Sequence, residues 1–430
     1  HNEQGKLPKG TARDYPLFPN RGFMLDVARK FFTIDYLKQY VKILSFYKMN
    51  EFQIHLNDNG FPQFFGDDWN RTYAAFRLES ERFPGLTAKD GSYSKQEFID
   101  LQRMGLEYGV RIIPEIDIPA HSLAFAHYKP EIASRKYGMD HLDLYKKETY
   151  QFVDSLLDEY LSGDNPVFIG DLHIGTDEYN KKEAEQYRYF TDRYLKFVEK
   201  YGKNVRMWGG LKWLPGKTSV KAEGVTVNAW SYDWVDPVVS LQEGYKLINT
   251  CDTYLYIVPA AGYYRDFLDH QWIYEKWSPW IMNRKQTLPE GTPGVLGGMF
   301  AVWNDKCGNG ISEQDVHLRS FPAMQVLAEK LWKGENKNVT YEAFAKLCKT
   351  TPEAPGINLL GKVPAETALT EAGKELSFNG KEAVSTPLQE VGYPYSVEFQ
   401  LCPEKTNPIS SILFQGPHSV VYTNWENTRR

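Results

Sequence analysis

The stretch His173-Ile-Gly-Thr-Asp-Glu-Tyr179 places two adjacent carboxylates, Asp177 and Glu178, where a predicted apolar strand over residues 167–174 gives way to a loop. Parallel β/α barrels carry their functional groups on the loops that follow the carboxyl ends of their strands. An isolated Asp-Glu pair is usually a solvated turn, because acidic side chains are mostly exposed. Its position directly after an apolar strand favours a functional interpretation here.

Short apolar segments alternate with helical ones from about residue 20 to 335, the pattern expected of repeated parallel β/α units. Helical spacing of apolar residues predicts helices at 34–47, 96–108, 152–161 and 183–201. The strand-like segments number eight, as in a (β/α)8 TIM barrel. They are residues 22–27, 51–56, 111–116, 167–174, 205–208, 226–230, 246–249 and 295–303.

The pattern changes after Trp332, where Pro and Gly turns flank short strand-like runs, as in a β-sandwich. These runs are 375–378, 395–401, 411–414 and 420–422. We predict a catalytic barrel at 15–335, a linker at 336–354 and a β-rich, sandwich-like accessory region at 355–430, which we expect to be incomplete. The long connection 60–93 is expected to form one wall of a cleft, since long loops in compact domains are usually functional.

Composition narrows the class of protein. With 430 residues, 42% of them hydrophobic, the chain can bury a large core. A net charge of −5 without a basic block predicts no nucleic-acid partner. No apolar run approaches the roughly 18 residues of a membrane span, and no signal-like segment opens the sequence. The four cysteines lack a CxxC pair, which predicts buried free thiols and neither a zinc site nor a disulfide framework.

Adjacent acids limit the chemistry that this strand end can perform. A two-carboxylate glycosidase needs its acids on opposite sides of the anomeric carbon, roughly 5 Å apart for retention or 6.5–9.5 Å for inversion. Neighbours such as Asp177 and Glu178 can hardly straddle a sugar, but they can share one side of it. One acid could protonate the leaving oxygen while the other holds a nucleophile that belongs to the substrate, such as a 2-acetamido group.

Several ordered motifs within residues 15–335 carry a resemblance to glycoside hydrolase family 20, the β-N-acetylhexosaminidases. The resemblance implies a β/α barrel, consistent with the strand count, and an enzyme that needs neither a metal nor an organic cofactor. The motifs are Arg21-Gly-Phe-Met-Leu-Asp-Val-Ala-Arg29, Lys48-Met-Asn50, Pro114-Glu-Ile-Asp-Ile-Pro-Ala-His121, His173 to Glu178, and Ala301-Val-Trp-Asn-Asp305.

The resemblance implies that Glu178 is the general acid and then the base that activates water, with a pKa raised by desolvation and by the Asp177 charge. It implies that Asp177 orients the acetamido N–H and stabilises an oxazolinium intermediate. A tyrosine should donate to the acetamido carbonyl oxygen. Tyr256 fits this role, with Tyr254 as the alternative.

The resemblance also implies a sugar pocket. Trp208, Trp230 and Trp303 match tryptophans that enclose the acetamido methyl and the sugar ring. Arg21 matches an arginine that holds the 3- and 4-hydroxyls, and Asp305 an acid that reaches the 4- and 6-hydroxyls. Asp117 and His121 are expected beside the catalytic Glu, with His55, Asp58 and His173 around them. Asp26 and Arg29 are expected to stabilise the barrel base.

Two departures from the family pattern concern the distal edge of the sugar. Val258 stands where many members carry an acid two residues after the tyrosine, and Asp58-Asn59 stands where many carry two acids. Because the predicted barrel begins almost at once, we expect no counterpart of the usual N-terminal α+β domain. In these features the chain resembles a subgroup of the family that contains bacterial lacto-N-biosidases and exo-glucosaminidases.

The expected activity is release of terminal β-linked GlcNAc or GalNAc from oligosaccharide or glycoconjugate glycans by a retaining, substrate-assisted exo-β-N-acetylhexosaminidase. One alternative is a lacto-N-biosidase that removes Gal-β1,3-GlcNAc, against which Arg21 would argue by occupying the place of the galactose. Another is a non-catalytic glycan-binding protein. The fourth strand lacks the DxxDxDxE pattern of a family 18-like chitinase. Glycan substrates suggest an extracellular, periplasmic or cell-surface location, and the sequence leaves the oligomeric state open.

Overall fold

The computed structural model describes residues 10–11, 13–307, 310–362, 368–370, 375–379, 381–387, 396–398, 400, 402, 411–415 and 420–423. The chain divides into two compact units. The first comprises residues 1–310 and 319–351, and the second comprises residues 311–318 and 352–430.

Eight parallel strands close into a barrel in the first unit, because the first strand pairs with the last as well as with the second. This confirms the predicted TIM barrel. The strands are β1 (Asn20–Asp26), β2 (Glu51–His55), β3 (Arg111–Ile118), β4 (Leu172–Gly175), β5 (Val205–Met207), β6 (Val225–Ala229), β7 (Lys246–Asn249) and β8 (Val295–Val302).

Ten helices are present in the described part of the chain. They are α1 (Ile34–Phe46), α2 (Lys95–Glu107), α3 (Leu123–Tyr128), α4 (Lys147–Leu161), α5 (Ala184–Glu199), α6 (Pro237–Glu243), α7 (Asp252–Leu255), α8 (His270–Glu275), α9 (Glu313–Lys333) and α10 (Tyr341–Thr350). Among these helices, none is both long and apolar enough to cross a membrane.

Local sequence signals explain where the barrel helices begin. Ser94 precedes α2, and its hydroxyl accepts from the backbone N–H of Glu97 while the Glu97 carboxylate accepts from the Ser94 N–H. This reciprocal capping satisfies two N–H groups that would otherwise lack partners at the helix start. Thr33 caps α1 in a similar way through the backbone N–H of Tyr36.

One layer of the barrel interior is made of aromatic side chains, and the amino-terminal end of the interior holds charged ones. Phe23 of β1 stacks on Phe52 of β2 at 5.3 Å and on Phe300 of β8 at 4.5 Å. At the end where the strands begin, the fully buried Glu51 accepts from both terminal nitrogens of Arg206 at 2.6 and 2.8 Å. A buried carboxylate is tolerated there because it is paired and hydrogen-bonded.

The fourth strand is shorter than predicted. It runs only over Leu172–Gly175, whereas residues 167–171 are irregular. Val167 and Phe168 are buried because they pack outside the strand: Gln102 of α2 donates to the Val167 carbonyl, and the Phe168 ring stacks on Tyr160 of α4. Burial, and not strand pairing, therefore accounts for the apolar run.

The connection 60–93 has its own ordered structure. Its segment Ala74–Phe76 pairs with Asn57–Asn59 in a two-stranded ribbon, and Pro62–Phe65 forms a short 3₁₀ helix. Similar short elements occur elsewhere, at Ala133–Ser134 with Gly138–Leu142, at Pro130–Ile132, and at Lys181–Glu183. The strand Tyr256–Ile257 lengthens the sheet beside the carboxyl end of β8.

In the C-terminal region, Ser411–Gln415 pairs antiparallel with Val420–Thr423, in line with two of the predicted strands. Residues 375–379 form no strand. Of the run predicted at 395–401, the described residues 396–398 and 400 form no strand, and the others lie outside the described residues. Within the predicted linker 336–354 the structure has helix α10. The three domain boundaries inferred from sequence stay predictions.

Candidate active site

The two acids Asp177 and Glu178 follow β4, on a sharply turned backbone. Gly175, Thr176 and Glu178 all have positive φ angles, of 66°, 71° and 48°. A Cβ on Gly175 would lie 1.7 Å from Asp117 Oδ1, so only glycine fits between these strands. Positive φ in Thr176 and Glu178 is costly and is found mainly at functional sites. The turn buries the Asp177 side chain, whereas the Glu178 side chain is 49% exposed.

His121 lies between Asp58 and the pair formed by Asp177 and Glu178. Its Nδ1 is 2.9 Å from Asp58 Oδ1, and its Nε2 is 3.3 Å from Glu178 Oε2 and 3.7 Å from Asp177 Oδ2. Burial lowers the pKa of His121, but the charges of Asp58 and Asp177 outweigh burial and hold it well above the ordinary value. His121 is therefore a cation that contacts both acids.

The two acids respond differently to this environment. Burial is the largest influence on Asp177 and raises its pKa to about 6, with the charge of His121 opposing the rise and that of Glu178 adding to it. Burial also favours neutral Glu178, but His121 outweighs it and keeps the Glu178 pKa below its ordinary value. The predicted rise in the Glu178 pKa is therefore wrong, because the imidazolium of His121 lies beside the Glu178 carboxylate.

Asp117 is the third acid of this group. It is buried, and neither carboxylate oxygen has a hydrogen-bond partner among the described residues. Burial, followed by the charge of Asp177, raises the pKa of Asp117 well above its ordinary value. A neutral Asp117 could donate a hydrogen bond into the site.

Two overlapping sets of side chains could offer donor atoms to a metal ion. They are His55 with Glu115 and Asp117, and Asp117 with His121 and Asp177, each within 4.8 Å. The two imidazoles already lie within 2.7 and 2.9 Å of Asp58 oxygens. The expectation that no metal is needed stays a prediction.

Three of the aromatic residues predicted to form the sugar pocket, Trp208, Trp303 and Tyr256, come together beside these acids. The Trp303 ring lies 5.4 Å from Trp208 and 5.8 Å from Tyr256, all three nearly or fully buried. Tyr256 is placed there by the pairing of its short strand with β8. Tyr254 instead stacks on Trp272 at 4.4 Å, which favours Tyr256 as the tyrosine of the site.

Two of the predicted pocket tryptophans are held by hydrogen bonds from their indole N–H groups. The Trp208 indole donates to Glu115 Oε1 at 2.5 Å, and the Trp230 indole donates to the Gly209 carbonyl at 3.3 Å. Glu115 is fully buried and was not singled out from the sequence, although it lies in the motif that ends at His121. Trp208, Trp230 and Trp303 all follow the carboxyl ends of their strands, as predicted.

Arg21 does not lie in this site. It is at the amino-terminal end of β1, where its Nε donates to the Lys48 carbonyl and its Nη1 to the Phe18 carbonyl, both at 2.7 Å. Five residues of strand, roughly 16 Å, separate it from Asp26 at the other end. The prediction that Arg21 holds sugar hydroxyls is therefore wrong, because the strand carries it to the opposite face of the barrel.

Arg29, which was assigned to the barrel base, lies at the catalytic face instead. Its Nη1 is 2.8 Å from Asp58 Oδ2, 3.3 Å from Asp26 Oδ2 and 3.5 Å from Asp305 Oδ1. Its Nε donates to the Asn59 carbonyl, while its Nη2 makes no hydrogen bond within the described part of the chain. Position could have identified it, since Arg29 follows the end of β1 as the other site residues follow their strands.

Asp305 completes this side of the site. It is buried, and its Oδ2 accepts from the Tyr263 hydroxyl at 2.7 Å. Phe61 of the 60–93 connection lies 5.8 Å from the Arg29 guanidinium, which places the start of that connection at the site. Arg29, Asp305 and Tyr263 thus offer donors and acceptors together, the combination that sugar hydroxyls require.

Comparisons with known proteins agree with this architecture. The model of the glycosyl hydrolase family 20 catalytic domain matches residues 18–335. β-Hexosaminidase subunit B2 of Dictyostelium discoideum is 27% identical over 382 residues, which cover 78% of this chain and 60% of that protein. A β-hexosaminidase of Akkermansia muciniphila is 28% identical over 263 residues, or 52% of this chain and 50% of that protein. The chain thus spans about half to three fifths of these relatives.

A solved structure shows the same fold. The β-N-acetylhexosaminidase from Bacteroides fragilis superposes with a TM-score of 0.62 at 22% identity, over 78% of this chain and 70% of that one. The family model covers well over half of the sequence. The match therefore shows the family of this barrel as well as its fold. The chain belongs to glycosyl hydrolase family 20.

Proposed function

We propose that this protein is a retaining, substrate-assisted exo-β-N-acetylhexosaminidase, which releases terminal β-linked GlcNAc or GalNAc from oligosaccharides and glycoconjugates. The observation that carries the proposal is the shared turn after β4, which presents Glu178 to solvent and keeps Asp177 buried next to His121. The relatives named above are hexosaminidases, and family membership supports the same chemistry here.

In the first step, the acetamido carbonyl oxygen of the substrate attacks the anomeric carbon as the bond to the glycosidic oxygen breaks. Glu178 gives its proton to the glycosidic oxygen, and the sugar becomes an oxazolinium ion. Asp177 accepts a hydrogen bond from the acetamido N–H and stabilises the positive charge that develops. Tyr256 donates to the acetamido oxygen, while Trp208, Trp230 and Trp303 enclose the methyl group and the ring.

In the second step, Glu178 takes a proton from water, which attacks the anomeric carbon from the face that the leaving group left. The oxazolinium ring opens, and the anomeric configuration is retained. Glu178 must be protonated to begin this cycle, yet the imidazolium of His121 favours its anion. A bound sugar that excludes water from the exposed Glu178 would raise its pKa, because burial disfavours the charged form.

Arg29 and Asp305 are the groups that we propose for the distal hydroxyls of the sugar, in place of Arg21. A side chain that holds a free 3-hydroxyl leaves no room for a 3-linked galactose. The argument against a lacto-N-biosidase therefore applies to Arg29. We also propose that the protein acts outside the cytoplasm, where glycans of this kind are mostly found.

The test is hydrolysis of the 4-nitrophenyl glycosides of β-GlcNAc, β-GalNAc and β-lacto-N-bioside by the wild type and by Glu178→Gln. Release from a monosaccharide glycoside that is lost in the variant is the expected result. Release from the disaccharide alone would identify a lacto-N-biosidase. Absence of release from all three, with retained binding of GlcNAc, would favour a glycan-binding protein.

A further inference from the structure

Three tryptophans, Trp230, Trp234 and Trp213, form a continuous row of rings that ends at the surface. Trp230 lies 5.5 Å from Trp234, with ring planes 30° apart, and Trp234 lies 5.2 Å from Trp213, with planes 33° apart. Trp230 is only 6% exposed, whereas Trp213 is 37% exposed. The tryptophan row therefore begins at Trp230, which we assign to the sugar pocket in the proposed function, and ends in solvent.

The row is held in place by contacts between the two loops that carry it. The backbone N–H of Lys212 donates to the Trp234 carbonyl at 3.1 Å, and the Lys212 ammonium donates to the Tyr232 carbonyl. The Trp230 indole donates to the Gly209 carbonyl, as described above. The loops after β5 and β6 are thus joined at several points, so the aromatic rings are preorganised for binding.

The exposed end of the row stands beside the loop that carries the general acid. Lys181, three residues after Glu178, has its ammonium 4.7 Å from the centre of the Trp213 ring. Gly210 is close enough to this loop that an added Cβ would come within 3.4 Å of the Thr176 carbonyl. The tryptophan row and Glu178 therefore border the same opening of the barrel.

Basic side chains accompany the aromatic surface. Besides Lys181 over Trp213, the ammonium groups of Lys212 and Lys285 lie 3.1 and 4.5 Å from the centre of the Tyr232 ring. Ammonium groups donate up to three hydrogen bonds, and flat aromatic faces suit the apolar faces of sugar rings. The combination provides both kinds of contact that an oligosaccharide makes.

We propose that the tryptophan row binds the leaving portion of the substrate, as an oligosaccharide of two or more sugar units beyond the cleaved bond. The proposal rests on the proposed function, since it assigns a leaving group to that same site. Trp213 is the residue that determines the preference for long glycans, because it is the most exposed ring of the row and lies farthest along it from Trp230. The row thereby adds a contact that a terminal monosaccharide glycoside cannot make.

The experiment compares kcat/KM on 4-nitrophenyl β-GlcNAc with kcat/KM on chitotetraose and on GlcNAc-β1,3-Gal-β1,4-Glc, for the wild type and Trp213→Ala. We expect the wild type to prefer at least one oligosaccharide. We expect Trp213→Ala to reduce that preference by roughly fivefold to tenfold, the size of one lost aromatic contact. Trp213→Tyr, which keeps an aromatic face, should restore most of it.

Tyr189→Ala is the matched control, because Tyr189 is 49% exposed on helix α5 and is not part of the row. For Tyr189→Ala, the ratio of kcat/KM on each oligosaccharide to kcat/KM on 4-nitrophenyl β-GlcNAc should equal that of the wild type. The same ratio in Trp213→Ala and in the wild type would overturn the proposal, as would a wild type that gains nothing from any oligosaccharide. A wild type inactive on 4-nitrophenyl β-GlcNAc and β-GalNAc would instead refute the proposed function itself.

Discussion

His121 Nε2 lies 3.3 Å from Glu178 Oε2, so the proposed general acid faces a cation. The other ring nitrogen is 2.9 Å from Asp58, whose own pKa is lowered because Arg29 and His121 outweigh its burial. An ionised Asp58 favours the imidazolium, and the imidazolium favours ionised Glu178. The pH dependence of the enzyme should reflect this chain of charges.

We predict that kcat/KM falls as the pH rises through about 6, the pKa of Asp177. Two neighbouring acids lose their protons in two macroscopic steps that belong to the pair. The lower step follows the depressed pKa of Glu178, and the upper step follows Asp177. Glu178 can deliver a proton only while the pair retains one, so activity is lost at the upper step. A pH profile on 4-nitrophenyl β-GlcNAc measures it.

Removing the His121 cation should shift the upper limb of the pH profile, the range in which kcat/KM falls as the pH rises. In His121→Asn both acids lose the charge that lowers their pKa values, so the upper limb is expected to shift to higher pH by roughly one unit. His141→Asn is the matched control, because the His141 ring contacts the Glu178 carbonyl at 3.3 Å and not the carboxylates. A limb at the wild-type pH in His121→Asn would contradict the assignment of the cation.

Asp177→Asn tests the substrate-assisted mechanism. One Asp177 oxygen is buried without a partner among the described residues, so it is free to accept the acetamido N–H of a substrate. An amide cannot supply the negative charge, and we expect kcat to fall roughly 10²- to 10³-fold, as when one preorganised electrostatic group is lost. Asp140→Asn, which removes the carboxylate that faces His141, is the control. Turnover near the wild-type rate in Asp177→Asn would rule out substrate assistance.

The contrast between Arg29 and Arg21 gives a further prediction. Arg29→Lys keeps a cation among Asp26, Asp58 and Asp305 but loses the planar fork that suits paired hydroxyls. We expect kcat/KM for 4-nitrophenyl β-GlcNAc to fall at least roughly tenfold. We expect a smaller fall for the 4-deoxy substrate, because that substrate already lacks a hydroxyl to which Arg29 would donate.

Arg21→Lys serves as the counterpart, because Arg21 bonds to backbone carbonyls at the opposite end of the barrel. We expect it to lower the midpoint of thermal unfolding while kcat/KM stays close to that of the wild type. Equal losses of kcat/KM in the two variants would mean that the present distinction between the two arginines is incorrect.

Most of the barrel could be predicted from the sequence because each parallel strand is buried on both faces and appears as a short apolar run. The predicted fourth strand was too long. Its apolar residues Val167 and Phe168 are buried against α2 and α4 and do not belong to the strand. The error over Arg21 and Arg29 has a similar origin. Both arginines lie in one nine-residue motif, and the resemblance alone did not say which end of β1 faces the catalytic opening.

The electrostatics of the site could not be predicted from the motif either. Adjacent carboxylates suggested a raised pKa for Glu178, but the effect depends on which acid is exposed and which faces His121. Those facts come from the positive φ angles after β4, which no periodicity reveals. The raised pKa that the sequence predicted for Glu178 belongs to Asp177, while Glu178 keeps its proposed role as the general acid.

The amino-terminal end of the barrel provides a prediction about stability. Glu51 is fully buried and paired with Arg206, with Asn20 and Arg111 also donating to it. Burial opposes its ionisation, but Arg206 outweighs burial and lowers the Glu51 pKa. Glu51→Gln leaves Arg206 short of a buried counter-charge, which should cost about 3 kcal/mol in the free energy of unfolding. A lower midpoint of thermal unfolding at neutral pH would reveal it.

The sign of the pH dependence follows from the lowered pKa of Glu51. Its stabilisation is complete above its ordinary value of 4.5 and is lost as the pH falls through the lowered value. The difference in unfolding midpoint between the wild type and Glu51→Gln should therefore narrow from about pH 7 to about pH 3. Glu81→Gln, which removes an exposed partner of Lys95, is the matched control and should change the midpoint little at either pH. A difference that stays constant as the pH falls would mean that Glu51 stabilises the barrel by its shape and not by its charge.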